Sequence, residues 1–298
     1  MRRRVRCIRS WIWWLALAAC APAKTMQSEA AFLSRDLTAE NLFASSIEGP
    51  EVDGRGRLFA TNFGREGTIG LVYSDGRCET FITLPGGSAS SSIRFDSHGR
   101  MLLADYRGHN VLVVEPASRE PHIYVHSDAF NQPNDMAITR DDVLYISDPN
   151  WSNGSGQLWR LDRSGLLKIA DAMGTTNGIE LSPDERTLYV SESHQRRIWA
   201  FDVVPSGLSG KRLFAEFSAH GLDGLKCDRE GNLYVTRYGN GSIVVLSPTG
   251  QTVREIALKG KDVSNLVFGG ADGRSVFVTL QDRKSIETFR VVIPGKRF

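Results

Sequence analysis

The stretch "SPDERTLYVSE", residues 182–192, decides the fold, because it joins a short polar turn to a strand-like run and this layout occurs six times in the chain. The strand-like run begins in successive copies at Leu58, Met101, Leu144, Leu188, Leu233 and Val276. These starts are separated by 43, 43, 44, 45 and 43 residues. Each preceding turn is short and contains Asp, as hairpins favour. A further apolar run follows each copy, so every repeat holds several short strands.

A period near 43 residues with about four short strands per copy is the signature of a β-propeller. We therefore predict an all-β fold, a six-bladed β-propeller over residues 38–298. The last copy ends after its third strand. We predict that the segment before the first copy, residues 38–46, supplies the missing outer strand and closes the ring. The alternative is an all-β sandwich, which the regularity of the six copies disfavours.

The repeat register aligns one polar position from each copy. Ten or eleven residues before each strand start lies an oxygen-bearing side chain, here called a ring position: Glu48, Ser91, Asn134, Asn177, Asp223 and Asn265. Because the innermost strands of a propeller line its central channel, these side chains should face one another. Four residues further along, the aligned row is mostly apolar and is predicted to be core. It includes Cys227, which should behave there as a small hydrophobe.

The ring positions predict a metal site. Buried polar atoms need partners, and two carboxylates side by side are costly without a cation. The set is all oxygen, which argues against zinc and copper and favours a hard cation. Ca²⁺, or another divalent cation, is expected on Glu48, Asn134, Asn177 and Asp223, because Ca²⁺ accepts amide as well as carboxylate oxygens. The alternative is a ring that binds only ordered water, a role that suits Ser91 and Asn265.

The N-terminus predicts export. A basic start and a short apolar stretch, Trp11 to Ala19, are typical of a secretory signal and too short for a membrane-spanning helix. "LAAC", ending at Cys20, resembles a bacterial lipoprotein cleavage box with Cys20 as the lipidated residue, whereas cleavage after "APA" is the alternative. We expect a signal over residues 1–20, a tether over 21–37 and a periplasmic body held to a membrane only through the lipid.

The charge of the body argues against nucleic acid as a partner. The formal net charge of +2 becomes −3 once the five arginines of the first ten residues are removed with the signal. A mildly acidic body with scattered Lys and Arg lacks the basic surface that nucleic acid requires. We expect a monomer that acts on a small molecule.

Four motifs resemble those of the senescence marker protein/gluconolactonase/luciferin-regenerating-enzyme-like family. They are "IEGPEVDGRGRLFATN" (47–62), "NQPNDMAITRDDVLYISDPNW" (131–151), "TTNGIELSPDERTLYVSES" (175–193) and "LDGLKCDREGNLYVTRYGNGSIVVLSPTG" (222–250). Members are six-bladed propellers that hold a divalent metal, usually Ca²⁺, in the channel and hydrolyse lactones and related esters. The resemblance implies that Glu48, Asn177 and Asp223 bind the metal and that Asp223 is also the general base. It implies that Asn134 contacts the metal, the substrate or a bound water.

Two further positions bear on the resemblance. Asp148 of "SDP" matches a loop that binds a second Ca²⁺ in some members, and it is equally a plain turn signal. Gln132 stands where members that act on sugar lactones often have Arg. We expect Gln132 to contact the substrate. Because a neutral amide makes no charge-assisted hydrogen bond, this departure argues against an aldonolactone and leaves room for a more apolar lactone or ester.

The predicted chemistry is metal-assisted hydrolysis, in which Asp223 takes a proton from water oriented by Asn134 and Asn177. Direct attack by Asp223 is the alternative. His220 is either a second base at the channel mouth or a solvated loop residue. Two other functional classes stay open: a non-catalytic scaffold stabilised by the metal, and a metal-free enzyme similar to strictosidine synthase.

Overall fold

The computed structural model describes residues 31–298. The predicted signal segment, Cys20 and most of the predicted tether lie outside these residues. Within residues 31–298, no helix is long and apolar enough to cross a membrane.

The described chain forms six antiparallel sheets of four strands each, arranged as the blades of a β-propeller. Strand β1 (Arg35–Asp36) belongs to the sixth blade. Blades 1 and 2 are β2 (Glu51–Val52), β3 (Leu58–Thr61), β4 (Thr68–Val72) and β5 (Cys78–Thr83), then β6 (Ser90–Phe95), β7 (Met101–Asp105), β8 (Asn110–Val114) and β9 (Pro121–His126). Blades 3 and 4 are β10 (Met136–Ile138), β11 (Leu144–Asn150), β12 (Ser155–Asp162) and β13 (Gly165–Met173), then β14 (Thr176–Leu181), β15 (Thr187–Glu192), β16 (Arg197–Val204) and β17 (Gly207–Glu216). Blades 5 and 6 are β18 (Gly221–Cys227), β19 (Leu233–Tyr238), β20 (Ser242–Leu246) and β21 (Thr252–Ala257), then β22 (Val263–Gly269), β23 (Ser275–Leu280) and β24 (Ser285–Arg290) with β1. The predicted six-bladed propeller is confirmed.

An N-terminal strand closes the ring, but it lies earlier than predicted. Strand β1 pairs antiparallel with β24, with Arg35 opposite Thr288. It therefore falls inside the predicted tether, and residues 38–46 do not form the outer strand. The reason is burial: outer strands face solvent, as the exposed Arg35 and Asp36 do, whereas Phe43 is buried in the core beneath blade 1. An apolar side chain of that size is more stable in the core than on an edge strand.

The core lies between neighbouring blades, where the inner and middle strands pack face to face. Every residue of the middle strands β7 and β8 is buried, whereas the outer strand β9 is largely exposed. The predicted apolar row also holds, because Ile138, Leu181 and Cys227 are all buried. Cys227 packs in an apolar cluster as a free thiol, and burial raises its pKa.

Local breaks in the strand ladders position the ring. The register of the inner strand shifts between Ser90 and Ser92, between Thr176 and Ile179, and between Leu222 and Leu225. Such bulges bend the strand and re-aim the side chains within them, here Ser91, Asn177 and Asp223. Gly178 permits this in blade 4, because a β-carbon at that position would overlap the backbone carbonyl oxygen of Asp223 in the next blade.

The C-terminal residues cover the end of the channel opposite the ring positions, here called the lower mouth. The backbone of Pro294 accepts a hydrogen bond from Arg229 N at 2.9 Å, and Lys296 N donates to Cys227 O at 3.2 Å. Further on, Lys296 Nζ donates to Leu181 O at 2.7 Å and Arg297 Nη2 to Ile138 O at 3.0 Å. The tail therefore crosses from blade 6 to blades 5, 4 and 3.

Candidate active site

A cavity of about 580 Å³ opens at the end of the channel where the ring positions lie, here called the upper mouth. The side chains predicted to bind the metal or the substrate all line it: Glu48, Gln132, Asn134, Asn177 and Asp223. The structure thus brings together residues from blades 1, 3, 4 and 5. The volume of the cavity lies in the range of sites that bind drug-sized ligands, about 300–1,000 Å³.

Strand pairing holds each ring side chain in place. Glu48 precedes β2, and its backbone carbonyl accepts hydrogen bonds from Thr61 N and Oγ1, each at 3.1 Å. Asn134 precedes β10, and its N–H donates to Ser147 O at 2.8 Å. Asn177 and Asp223 lie within β14 and β18 at the bulges described above. The four side chains therefore stand on rigid strands or at their immediate start.

Two buried carboxylates share the cavity floor. Glu48 is 5% exposed, Asp223 8% and the neighbouring Asn177 3%. Burial, with the nearby charge of Asp135, raises the pKa of Glu48 to about 8. Burial raises the pKa of Asp223 as well, and the charges of Glu48 and Asp135 act in the same direction. Among residues 31–298, fourteen line the cavity and none of them is Lys or Arg, so no cation of the described chain compensates the two acids at this floor.

Two oxygen atoms at this floor lack hydrogen-bond partners. Glu48 Oε1 and Asn177 Oδ1 are buried, and neither accepts a hydrogen bond from the part of the chain that the structure describes. An unpaired buried polar atom costs about 1–3 kcal/mol. Together with Asn134 and Asp223 they form a set of oxygen donors, which is the chemistry that a hard divalent cation selects. Since no three His, Cys, Asp or Glu side chains of residues 31–298 converge into a metal-binding group, amide oxygens would have to complete the coordination.

The remaining ring positions are already satisfied within the protein. Ser91 Oγ donates to Asn134 O at 2.9 Å. Asn265 Oδ1 accepts from Leu266 N at 2.9 Å, and its Nδ2 lies 3.4 Å from Asp135 Oδ2. The structure therefore separates the ring into four positions that remain available to a ligand and two that support the channel wall.

A layer of paired charges lies beneath the ring, and the sequence analysis missed it. Arg94 Nη1 contacts Glu51 Oε2 at 3.2 Å and Arg94 Nη2 contacts Asp135 Oδ1 at 2.8 Å, with all three side chains buried. Lys296 pairs with Glu180. The layer holds equal numbers of acids and cations: Glu51, Asp135 and Glu180 against Arg94, Lys226 and Lys296. Its charges balance, in contrast to the two acids of the ring.

The repeat carried the signal for this layer. Counting three residues on from the ring positions of blades 1, 2, 4 and 5 gives a charged residue every time: Glu51, Arg94, Glu180 and Lys226. An ionisable row so close to a predicted channel indicates an ion-pair network, since isolated buried charges are costly.

Asp148 is a structural anchor. Its carboxylate is fully buried and accepts hydrogen bonds from Asn131 N (2.9 Å), Gln132 N (2.6 Å), Gln157 Nε2 (2.7 Å) and Trp159 Nε1 (2.9 Å). These donors occupy the lone pairs that a second Ca²⁺ would need, so the hypothesis of a metal at Asp148 does not fit. The residue instead fixes the loop that carries Gln132 and Asn134 into the cavity.

The cavity walls come from loops that the sequence analysis did not single out. Tyr106, Trp151, His194, Tyr238 and Gln281 line it, each at the end of a second strand or just after it. Counting five to seven residues on from each strand start would have found them.

His220 is exposed and does not line the cavity, so the structure does not support it as a second base.

Comparison with known proteins adds the family. Residues 47–282 match the family described as SMP-30/Gluconolactonase/LRE-like region. The chain belongs to this family. The match spans five complete blades and the two inner strands of the sixth, β22 and β23, and it includes all of the ring positions.

Relatives within the family carry lactonase names. The chain is 28% identical over 218 residues to a gluconolactonase of Zymomonas mobilis, covering 64% of this chain and 60% of that protein. It is 31% identical over 245 residues to lactonase drp35 of Staphylococcus aureus, covering 74% of this chain and 72% of that protein. Among solved structures, regucalcin of Agrobacterium tumefaciens, a calcium-binding protein, superposes with a TM-score of 0.77 at 19% identity, covering 89% of this chain and 95% of that one. This structural likeness shows the fold.

Proposed function

We propose that the protein hydrolyses a lactone or a related ester with the help of a divalent cation, Ca²⁺ being the first candidate, held by Glu48, Asn134, Asn177 and Asp223. One observation carries the proposal: Glu48 Oε1 and Asn177 Oδ1 are buried without partners beside a second uncompensated carboxylate, at the floor of an open cavity. The lactonase names of the relatives point to the same chemistry.

The residues of the cavity floor have different roles in the proposed reaction. When bound, the cation supplies a positive charge that polarises the ester carbonyl and stabilises the developing oxyanion. Asp223 accepts the proton of the attacking water, since it is the only carboxylate besides Glu48 that lines the cavity. The amides of Asn134 and Asn177 orient that water by hydrogen bonding. The balanced charge layer and the C-terminal tail separate this floor from the lower mouth.

The proposal predicts that Asp223→Asn loses hydrolysis while the fold survives. The substitution keeps the volume of the side chain and removes its capacity as a base, so kcat/KM for any lactone that is hydrolysed should fall by about 10²–10⁴-fold at saturating Ca²⁺. Asp141→Asn is the matched control, because Asp141 is exposed and makes no side-chain hydrogen bond in the described structure.

The same assay tests the scaffold alternative and the role of Asp223 as the base. Protein that binds Ca²⁺ but hydrolyses no member of a broad lactone and ester panel would be a scaffold. Hydrolysis that persists undiminished in Asp223→Asn would show that another group is the base.

A further inference from the structure

We propose that the substrate is an uncharged lactone that carries an aryl or alkyl substituent, and that the substituent packs against Trp151. This inference rests on the proposed hydrolase function and adds the class of substrate. The evidence for it lies in the side chains that form the walls of the upper-mouth cavity, above the floor that holds the ring positions.

The first observation is an aromatic wall, formed by Tyr106, Trp151, His194 and Tyr238. Trp151 lies at the tip of the hairpin between β11 and β12 and is 36% exposed. A partly exposed indole at the mouth of a cavity offers a large apolar area to a ligand. Burying such a surface against an apolar group favours binding.

This wall is held in place before any ligand arrives. The rings of Trp151 and His194 meet edge to face, with centroids 5.6 Å apart and planes at 70°. His194 Nδ1 lies within hydrogen-bonding distance of Thr175 Oγ1, at 3.2 Å. Preorganised side chains lose little conformational entropy on binding, which favours a rigid partner such as an aryl ring.

The second observation is that the walls offer no cation to a charged substituent. None of the fourteen lining residues is Lys or Arg. Arg107, which lies beside the lining residue Tyr106, is paired with Glu66, and Glu66 also accepts a hydrogen bond from Ser46 Oγ at 2.8 Å. A phosphate, sulfonate or carboxylate on the substrate would therefore lose its hydration without gaining a charged partner.

The third observation is that three neutral polar side chains of the wall already donate hydrogen bonds within the protein. Ser193 Oγ donates to Leu222 O at 2.6 Å. Gln281 accepts from Tyr238 OH at 3.1 Å and donates to Ile47 O at 3.4 Å. Gln132 keeps its amide hydrogens for a ligand, because within residues 31–298 only its Oε1 has a hydrogen-bond partner, Trp151 N at 3.5 Å. Donors that are already engaged are not available to replace the hydration of a polyhydroxylated substrate, so the wall favours an apolar one.

The test compares two lactones that differ only by a phenyl group, γ-phenyl-γ-butyrolactone and γ-butyrolactone, with glucono-1,5-lactone as the polyol. The full-length protein is assayed with saturating Ca²⁺. We expect kcat/KM to be roughly tenfold or more higher for the phenyl lactone than for either of the others. Trp151→Ala should remove most of this preference by lowering kcat/KM for the phenyl lactone roughly tenfold, and Trp151→Phe should restore it.

Two controls keep the outcome specific. Tyr124→Ala removes an aromatic side chain that is 44% exposed on the outer strand β9 and should leave both rates unchanged. Ca²⁺ affinity, measured by calorimetry, should be unchanged in Trp151→Ala because Trp151 lies outside the ring.

Each contrary result has its own meaning. A preference for glucono-1,5-lactone, or equal losses for both butyrolactones in Trp151→Ala, overturns the inference and leaves the hydrolase function standing. Absence of hydrolysis with every lactone overturns the proposed function and this inference with it.

Discussion

At the scale of single residues, Glu48 and Asn177 are the main evidence for a bound cation. Each presents a buried oxygen without a hydrogen-bond partner, and Glu48 shares the floor with a second buried carboxylate, Asp223. Most buried polar atoms in native proteins are paired, so an unpaired one calls for an explanation. The neighbouring layer shows the contrast, because Arg94 there contacts both Glu51 and Asp135. A cation in the ring satisfies the two oxygens and both charges at once.

At this scale we predict that Glu48→Gln changes stability in opposite directions with and without Ca²⁺. Burial raises the pKa of Glu48 to about 8, so at pH 7 the wild type freed of metal must take up a proton there on folding. The amide is neutral in both states, so the variant freed of metal should be more stable than the wild type by about 1 kcal/mol or more. Ca²⁺ at 100 times its Kd should stabilise the wild type by about 2.7 kcal/mol and the variant much less. Thermal unfolding with EDTA and with Ca²⁺ measures both effects.

Glu120→Gln, at an exposed position without a side-chain partner in the described chain, should behave as the wild type. Equal gains from Ca²⁺ in all three proteins would exclude Glu48 as a ligand.

At the scale of elements, the inner strands present their ring positions through bulges. The side chain of Asn177 leaves the regular ladder between β14 and β15, and Asp223 leaves the ladder between β18 and β19. This works only where neighbouring backbones come close, and Gly178 and Gly224 supply the space. The pair Asn177-Gly178, which elsewhere favours a tight hairpin turn, serves here to bring one blade against the next.

Gly178→Ala tests this role of the bulge. The added methyl group would overlap the carbonyl oxygen of Asp223, so we expect a loss of stability of about 1–3 kcal/mol. The same shift displaces two ring side chains and should weaken Ca²⁺ binding by about 10–100-fold. Chemical denaturation and calorimetry measure the two effects.

The matched control is Gly54→Ala, where an added β-carbon meets nothing within 4 Å. It should leave both quantities close to those of the wild type. A Gly178→Ala protein of unchanged stability and affinity would mean that blades 4 and 5 have room to move apart.

At the scale of the whole molecule, the ring of blades divides the channel into two regions of different charge. The lower region is electrically balanced and covered by the C-terminal tail, which reaches Cys227, Leu181 and Ile138. The upper region is open, carries two uncompensated acids and is walled by aromatic side chains. A second cavity, of about 560 Å³, lies beside the tail in the lower region, but Glu48, Asn134, Asn177 and Asp223 line only the upper one, so a ligand reaches the ring from the upper mouth.

The regular parts of this architecture follow from the sequence because they repeat. One hairpin turn and one strand start per blade set the register, and that register alone aligns Glu48, Asn134, Asn177 and Asp223. Features that occur once were harder to predict. Closure by β1 depended on whether Phe43 would lie on an edge strand or in the core. The role of Asp148 depends on hydrogen-bond donors from Gln157 and Trp159 on a neighbouring strand. The motif around Asp148 does not indicate these donors.

The most direct test of the central claim is the rate of lactone hydrolysis by the purified protein after EDTA treatment and again after Ca²⁺ is restored, with Glu48→Gln measured alongside. The account predicts that EDTA lowers the wild-type rate by about 100-fold or more and that Ca²⁺ restores it. Glu48→Gln should remain slow at Ca²⁺ concentrations that saturate the wild type. A wild-type rate that is unaffected by EDTA, or a variant that recovers fully at the same Ca²⁺ concentration, would contradict a metal-dependent hydrolase built on this ring.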